Sequence, residues 1–482
     1  MTRATVPALP TERLEGFSSW GGNLRVMSYA YRPTRAEGVA DVLELARRSS
    51  RSVGIRGGGN SYGDAALNCE EIALDLSRMN RILDWNPDTG VMVVEPGVTI
   101  RDVWEHAIGD GYWPAVVPGT MFPTIGGAAA MNIHGKNHVK VGPLGEHIRD
   151  FDLLLPSGET CRCSPAENSA LFHAAIGGLG VLGVMTRLSL ELRKVHSGRL
   201  RVTPFSGANG DDLFATFRAQ VETADYLVGW IDCFATGRAA GRGLIHRADY
   251  LKPGEDPEPT RSLSVAYQTP PSDLMGFLPK SLLPRFLGPV FTPRGMRAAN
   301  AAQFLMGSRR SGVPREETHA AFAFLLDYVP NWKRAYGSGG LLQYQTFLPD
   351  AVAQDVFAAQ VARCQAEGEV PLLSVLKRHR PDNFLLSYSL DGWSLALDFK
   401  RTQGNHGPLL RLFAAMDREV LAAGGRFYFA KDSTLQASRL APFLAEQRVR
   451  EFLRLKREID PEALLQTDLY RRIFGAASEG IG

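Results

Sequence analysis

Residues 52–68, "SVGIRGGGNSYGDAALN", set Gly57, Gly58 and Gly59 in a row behind a short β-rich run. The backbone N–H groups of such a turn form an anion-binding nest that needs no helix dipole. Asn60, Ser61 and Tyr62 add hydrogen-bonding side chains at the same bend. A GxGxxG dinucleotide fingerprint requires a strand before it and a helix after it, because the helix N-terminus takes the pyrophosphate. Here "DAALNCEEIALDLS" leads from Gly63 into a second strand, so the doubly wound nucleotide fold is excluded. Alone, the loop reads equally well as an anion cradle or as a tight hairpin. A second set, "GLGVLG" at 178–183, matches the fingerprint literally but follows a helix and precedes a strand. That order suits backbone packed on a flat ligand. The third set is "PGT" at 118–120 with "TIGGAAAMNIHGKN" at 124–137, where small residues let backbone approach a bulky group. Three such stretches in one α+β domain imply a large, elongated, phosphate-bearing cofactor.

The flanking sequence alternates helix and strand signals as far as Val195. "PTRAEGVADVLELARR" has Thr34 and Glu37 at capping-box spacing before apolar residues of helical period. From Ser197 to Gly424, "YLVGWIDCFA", "GLLQYQTFLP", "PLLSVLKRHR", "NFLLSYSL" and "WSLALDFK" read as strands of an antiparallel sheet. "DAVAQDVFAAQVARCQA" and "GPLLRLFAAMDREVLAAGG" read as helices covering one face of it. "RFYFAKDS" then reads as a strand, followed by helical sequence to Phe474. Residues 274–291 are apolar, basic and broken by prolines, so they form no single long helix.

A chain of 482 residues implies two domains or three. Its net charge of +3 and lack of a basic stripe exclude a nucleic-acid footprint. The N-terminus has no signal-peptide core, and no stretch approaches the length of a membrane helix. The five cysteines (Cys69, Cys161, Cys163, Cys233, Cys364) are odd in number and scattered, which fits a reducing cytoplasmic compartment. Cys161 and Cys163 fall in an apparent exposed hairpin. His134 and His138 are four apart in "HGKNH", but Gly135 holds the place where a zinc protease needs glutamate, so no metal site is expected.

"IRGGGNSYGD", "PGT…TIGGAAAMNIHGKNH", "GGLGVLGVM" and "YFAKDS" together resemble the vanillyl-alcohol-oxidase superfamily of FAD enzymes, which share the PCMH-type FAD-binding domain. Within it, "GGGNSYGD", "IHGKNH", "RAYGSGGLLQYQ" at 334–345, "GW…DF" and "AKDS" are most similar to the decaprenylphosphoryl-β-D-ribose 2′-oxidase family, the flavin half of a 2′-epimerase. The resemblance implies an α+β fold with an FAD-binding domain over 10–196, a substrate domain over 197–424 and a return over 425–482 that completes the FAD site. It implies FAD against Ile55, Arg56, Gly57, Gly58, Gly59, Asn60, Ser61, Tyr62 and Gly63, against Gly119, Thr124, Gly126, Gly127, His134, Gly135 and Asn137, and against Gly180, Val184 and Met185. Tyr428 and Lys431 would close the site. Many relatives attach FAD through a histidine in the glycine loop; Asn60 stands there, which implies non-covalent FAD.

Oxidation of a secondary alcohol needs a hydride acceptor, a destination for the hydroxyl proton and positive charge near the flavin edge. By resemblance Lys431 touches substrate and flavin, Tyr62 and His134 handle protons or the flavin edge, and Lys377 lines the substrate pocket. Tyr336, Gln343, Gln345, Ser394 and Ala396 are the other implied substrate contacts. The mycobacterial members carry cysteine where this chain has Ala396 and commonly asparagine at Ser394. The implied substrate is a polyprenylphosphoryl-β-D-ribose, with an NAD(P)H-dependent keto-reductase as companion. Phe277, Leu278, Leu282, Leu283, Phe286 and Leu287, with Lys280 and Arg285, would touch a membrane surface peripherally or pack on their own domain. An oxidase of soluble alditols or aldonolactones and a non-catalytic flavin-binding protein remain as alternatives.

Overall fold

The computed structural model describes residues 8–269, 273–274, 278–279 and 290–479. The decisive glycine loop leaves a four-stranded sheet of order Leu14–Ser18, Arg25–Tyr31, Ile72–Asp75 and Val53–Arg56. The last three strands run parallel, which demands crossover connections. One crossover is the helix Ala36–Arg48, whose buried Val39, Val42, Leu43 and Ala46 recur at the spacing of one helical face. Thr34 and Glu37 do not cap it. The helix is entered through extended Arg35, which makes no side-chain cap bond, and Pro33 packs on Gly38 of the first turn. A true capping box forms instead between Thr99 and Asp102, at the start of Ile100–Ala107.

A second, antiparallel sheet orders Ile82–Asn86, Val91–Val94, Val184–Lys194, Ile148–Leu154 and Thr160–Cys163, with Tyr112–Pro114 pairing on Val184–Lys194. The Cys161/Cys163 hairpin is there, but only half of it faces out. Cys163 is buried, because alternate residues of a strand take opposite faces.

The third sheet has eight strands, in the order Arg315–Thr318, Arg199–Gly207, Gly243–Tyr250, Tyr226–Ile231, Leu373–His379, Gly392–Lys400, Leu341–Pro349 and Arg426–Phe427. Helices Gly210–Val221, Asp350–Ala366 and His406–Ala422 cover one face. There Phe217 meets Trp393 at 4.8 Å and Phe413 meets Phe399 at 5.0 Å between ring centroids. The opposite face is turned to the first two sheets.

Two expected strands are corrected. "NFLLSYSL" is irregular backbone; its Phe384, Leu386, Tyr388 and Leu390 are buried off any ladder, Phe384 against Phe172 and His173 of helix Ser169–Ala175 and Tyr388 4.8 Å from Phe347 between ring centroids, and the Tyr388 hydroxyl donates to the Asn132 carbonyl at 2.7 Å. "RFYFAKDS" is a strand only at Arg426–Phe427. A turn follows, with the Lys431 and Asp432 amides both donating to the Tyr428 carbonyl. The helices Glu446–Ile459 and Asp468–Glu479 return to the first sheet, where Val53 and Leu464–Gln466 exchange backbone bonds of 2.7 and 3.0 Å.

Of residues 274–291, Leu274 and Leu278 belong to a two-stranded pair and Phe291 packs edge-on against Tyr336. Phe277, Lys280, Leu282, Leu283, Arg285, Phe286 and Leu287 lie outside the described residues. No helix among the described residues is long and apolar enough to cross a membrane.

Candidate active site

A cavity of about 550 Å³ opens between the glycine turns and the uncovered face of the eight-stranded sheet. Gly58 donates its amide to Thr124 Oγ1 at 3.3 Å, and the Asn60 side-chain amide donates to the Phe122 carbonyl at 3.1 Å, so the first and third glycine stretches are laced together. A Cβ on Gly57 would lie 2.1 Å from Thr124 Oγ1, and one on Gly126 would lie 2.6 Å from Pro96 Cβ. The glycines are thus required by loop-on-loop packing as well as by space for a ligand. Ile55, Gly57, Gly58, Gly59, Asn60, Ser61, Tyr62, Gly119, Thr124, Gly126, Gly127, His134, Gly180, Met185 and Tyr428 all line the cavity.

Six expected residues do not line it. Arg56 and Val184 neighbour Ile55 and Met185 on strands and therefore take the other face; the Arg56 guanidinium sits 5.0 Å over the Phe17 ring. Gly63 abuts the Asp432 carbonyl, and Gly135 abuts Val117. Asn137 donates to the Ala115 carbonyl at 2.8 Å. Tyr336 packs with Phe291 and Trp332 one layer behind the wall.

The sheet supplies the rest by its two-residue period. Gln343 and Gln345, Leu373, Val375 and Lys377, and Ser394, Ala396 and Asp398 all point into the cavity from three adjacent strands. Register sets Gln343 against Asp398, Gln345 against Ala396 and Lys377 against Ser394. The Gln343 amide donates to Asp398 Oδ1, while Gln343 Oε1 and Asp398 Oδ2 are buried with no partner among the described residues. Unpartnered polar atoms on a cavity wall fit a bound polar heterocycle such as the isoalloxazine of FAD.

Lys431, carried in by the Tyr428 turn, places Nζ 3.7 Å over the Tyr62 ring. Burial pushes its pKa down to about 7 against the pull of Asp398, and burial pushes Asp398 up to about 6. Lys377 is pushed down to about 8 by burial, with Nζ 3.5 Å from His134 Nδ1. His134 Nε2 lies 3.1 Å from the Gln345 amide nitrogen. Burial first, then the charge of Lys377, holds His134 well below its ordinary value, so the imidazole is neutral. The cavity therefore joins three lysines able to exchange protons near neutrality, Lys136 also being pushed down to about 7 by burial, with one neutral histidine.

Asp398, Lys136, His246, Trp20 and Trp230 also line the cavity, and the sequence reading did not select them. Asp398 was legible, since it continues the Ser394, Ala396 alternation by one step. His379 lies just behind the wall, with Nε2 2.7 Å from Ser394 Oγ.

An FAD-binding-domain family model matches residues 27–164. A decaprenylphosphoryl-β-D-ribose oxidase from Mycolicibacterium smegmatis is 31% identical over 96% of this chain and 97% of its own length. The chain belongs to that family of FAD-linked oxidoreductases. An L-gulonolactone oxidase from Bos taurus is 30% identical over 36% of this chain, and a D-lactate dehydrogenase from Anaerostipes hadrus is 29% identical over 33% of it. These cover 39% and 35% of their own lengths. The protein is an FAD-dependent oxidoreductase acting on CH–OH groups, and the glycine turns with Tyr428 and Lys431 are the residues whose placement fits that cofactor.

Proposed function

We propose that this oxidoreductase oxidises the ribose 2′-hydroxyl of a polyprenylphosphoryl-β-D-ribose to the 2′-ketone, and that an NAD(P)H-dependent keto-reductase completes the epimerisation. The observation that carries this reading is the polar sheet face opposite the cofactor turns, where Lys377, Gln343, Gln345 and Ser394 meet Lys431 in one enclosed cavity. A carbinol there is held by hydrogen bonds from the two glutamines. Its proton passes to a lysine that is neutral part of the time at pH 7. Bound FAD supplies the two-electron acceptor. Residues 274–291 are proposed to meet the membrane surface from which the lipid-linked substrate arrives.

The L-gulonolactone oxidase similarity supports a second reading, oxidation of a soluble alditol or aldonolactone, but it spans only 36% of the chain. A non-catalytic flavin carrier does not account for Lys431, Lys377 and Asp398 converging in the cavity. Anaerobic titration of the holoprotein separates these. Polyprenylphosphoryl-ribose is expected to bleach the flavin while xylitol and L-gulono-1,4-lactone leave it yellow; bleaching by either of the latter alone would favour the second reading.

FAD is held without a covalent bond in this proposal, since Asn60 offers no nucleophile and its amide is committed to the Phe122 carbonyl. Acid precipitation should leave all the yellow colour in the supernatant; colour retained in the pellet would show a bond to a side chain.

A further inference from the structure

Three lysines, Lys136, Lys377 and Lys431, line one cavity, and Asp398 is its single lining carboxylate among the described residues. Asp398 acts on Lys431, and Lys377 is beside His134. Lys136 has no acidic partner within ion-pair distance among the described residues. Its Nζ donates to the Phe322 carbonyl and lies 4.4 Å over the Phe322 ring. Glu317 reaches it only through space and is itself ion-paired with Arg315. Burial, then the charge of Lys377, pushes the Lys136 pKa down to about 7, so the charged form is costly there, and the cost is offset when an anion is brought to it.

The position of Lys136 says which anion. Its carbonyl accepts from the Leu227 amide at 2.9 Å, which pins this loop to the eight-stranded sheet. His246, on the strand beside Leu227 and Val228, lines the same part of the wall. These partners belong to the sheet side, opposite the turns at 57–61 and 124–127 that fit the cofactor. The same cavity has an apolar wall through Leu325, Leu326 and Val329, a few residues along the chain from the Phe322 that holds Lys136, and Leu325 is 59% exposed. A cation set deep beside an apolar exit matches an amphiphile with its anionic group inside and its hydrocarbon leading out.

We propose that Lys136, assisted by His246, is the subsite for the phosphodiester of the lipid-linked sugar, with the prenyl chain leaving across Leu325, Leu326 and Val329. This rests on the substrate class proposed above, but its test is independent of turnover. The probes are farnesyl phosphate, its neutral dimethyl ester and farnesol, titrated into the FAD-loaded protein and followed by calorimetry. Wild type is expected to bind farnesyl phosphate about 100-fold tighter than either neutral compound, the scale of a buried charge-assisted contact. Lys136→Met should shrink that preference to under about 5-fold, with farnesol affinity and FAD content retained, and Lys136→Arg should restore most of it. Equal binding of phosphate and dimethyl ester by wild type overturns the subsite without any variant. Loss of FAD from a folded Lys136→Met protein overturns it too, by assigning the lysine to the cofactor. If polyprenylphosphoryl-ribose fails to bleach the flavin while the phosphate preference holds, the substrate assignment falls and the anion subsite stands.

Discussion

Lys431→Met is expected to slow substrate-driven flavin bleaching about 10³-fold, the scale of losing the base that takes the hydroxyl proton. Methionine retains the length and apolar stem of lysine, so contact with the Tyr62 ring survives while the amine is lost. The fold should persist, because the turn that carries residue 431 is closed by backbone bonds to the Tyr428 carbonyl. The pH dependence tests the same group. Lys431 sits at about 7 and Asp398 at about 6, and two groups this close titrate as a pair. Only an unprotonated amine accepts the hydroxyl proton, so the wild-type rate should climb as pH rises through that interval. The climb should vanish in Lys431→Met. Anaerobic stopped-flow between pH 5.5 and 8.5 measures both, and an undiminished rate in the variant would remove Lys431 from the chemistry.

The glycine turns were legible because glycine has few other reasons to cluster, and their order relative to strand and helix excluded the doubly wound alternative. The sheet floor was legible only in part. Gln343, Gln345, Lys377 and Ser394 were reached only through the resemblance of "LQYQ", "SVLKRHR" and "GW…DF", and Asp398 and Lys136 were passed over. A lone lysine gives no local sign that it will be enclosed. Its environment comes from segments far away in the chain, as Phe322 and Leu227 do for Lys136. "NFLLSYSL" misled for a related reason: its apolar residues at 384, 386, 388 and 390 alternate in sequence as a strand's do, although residues 386–390 are buried without a break. Arg56, Val184 and Gly63 lie within the right motifs but face the wrong way, and a motif does not encode facing.

Lys456→Met is expected to destabilise the protein by about 3–5 kcal/mol, the usual cost of removing one member of a buried ion pair. Lys456 Nζ donates to Asp460, to the Val181 carbonyl at 2.8 Å and to the Leu465 carbonyl at 2.8 Å. Val181 belongs to the loop whose Leu179, Gly180 and Leu182 wall the cofactor cavity, and Leu465 pairs with Val53 on the strand that delivers Gly57. One ammonium therefore ties both flanks of the cradle to the C-terminal helix Glu446–Ile459. Methionine would fill the space but leave two carbonyls without their donor and Asp460 without its cation. Asp460 would still accept from the Leu464 and Leu465 amides, one on each carboxylate oxygen and each at 2.8 Å, but its charge would have lost its cation. Burial lowers the Lys456 pKa to about 8, below its value in the unfolded chain. The unfolded state thus binds the extra proton, and this group's contribution to stability rises with pH from about 8 to about 10.4 and is flat below. That rise should be missing from the variant. Urea unfolding of the holoprotein, with FAD release followed by fluorescence, reads both effects; a loss below about 1 kcal/mol would place Lys456 among ordinary surface pairs rather than at the clasp of the cradle.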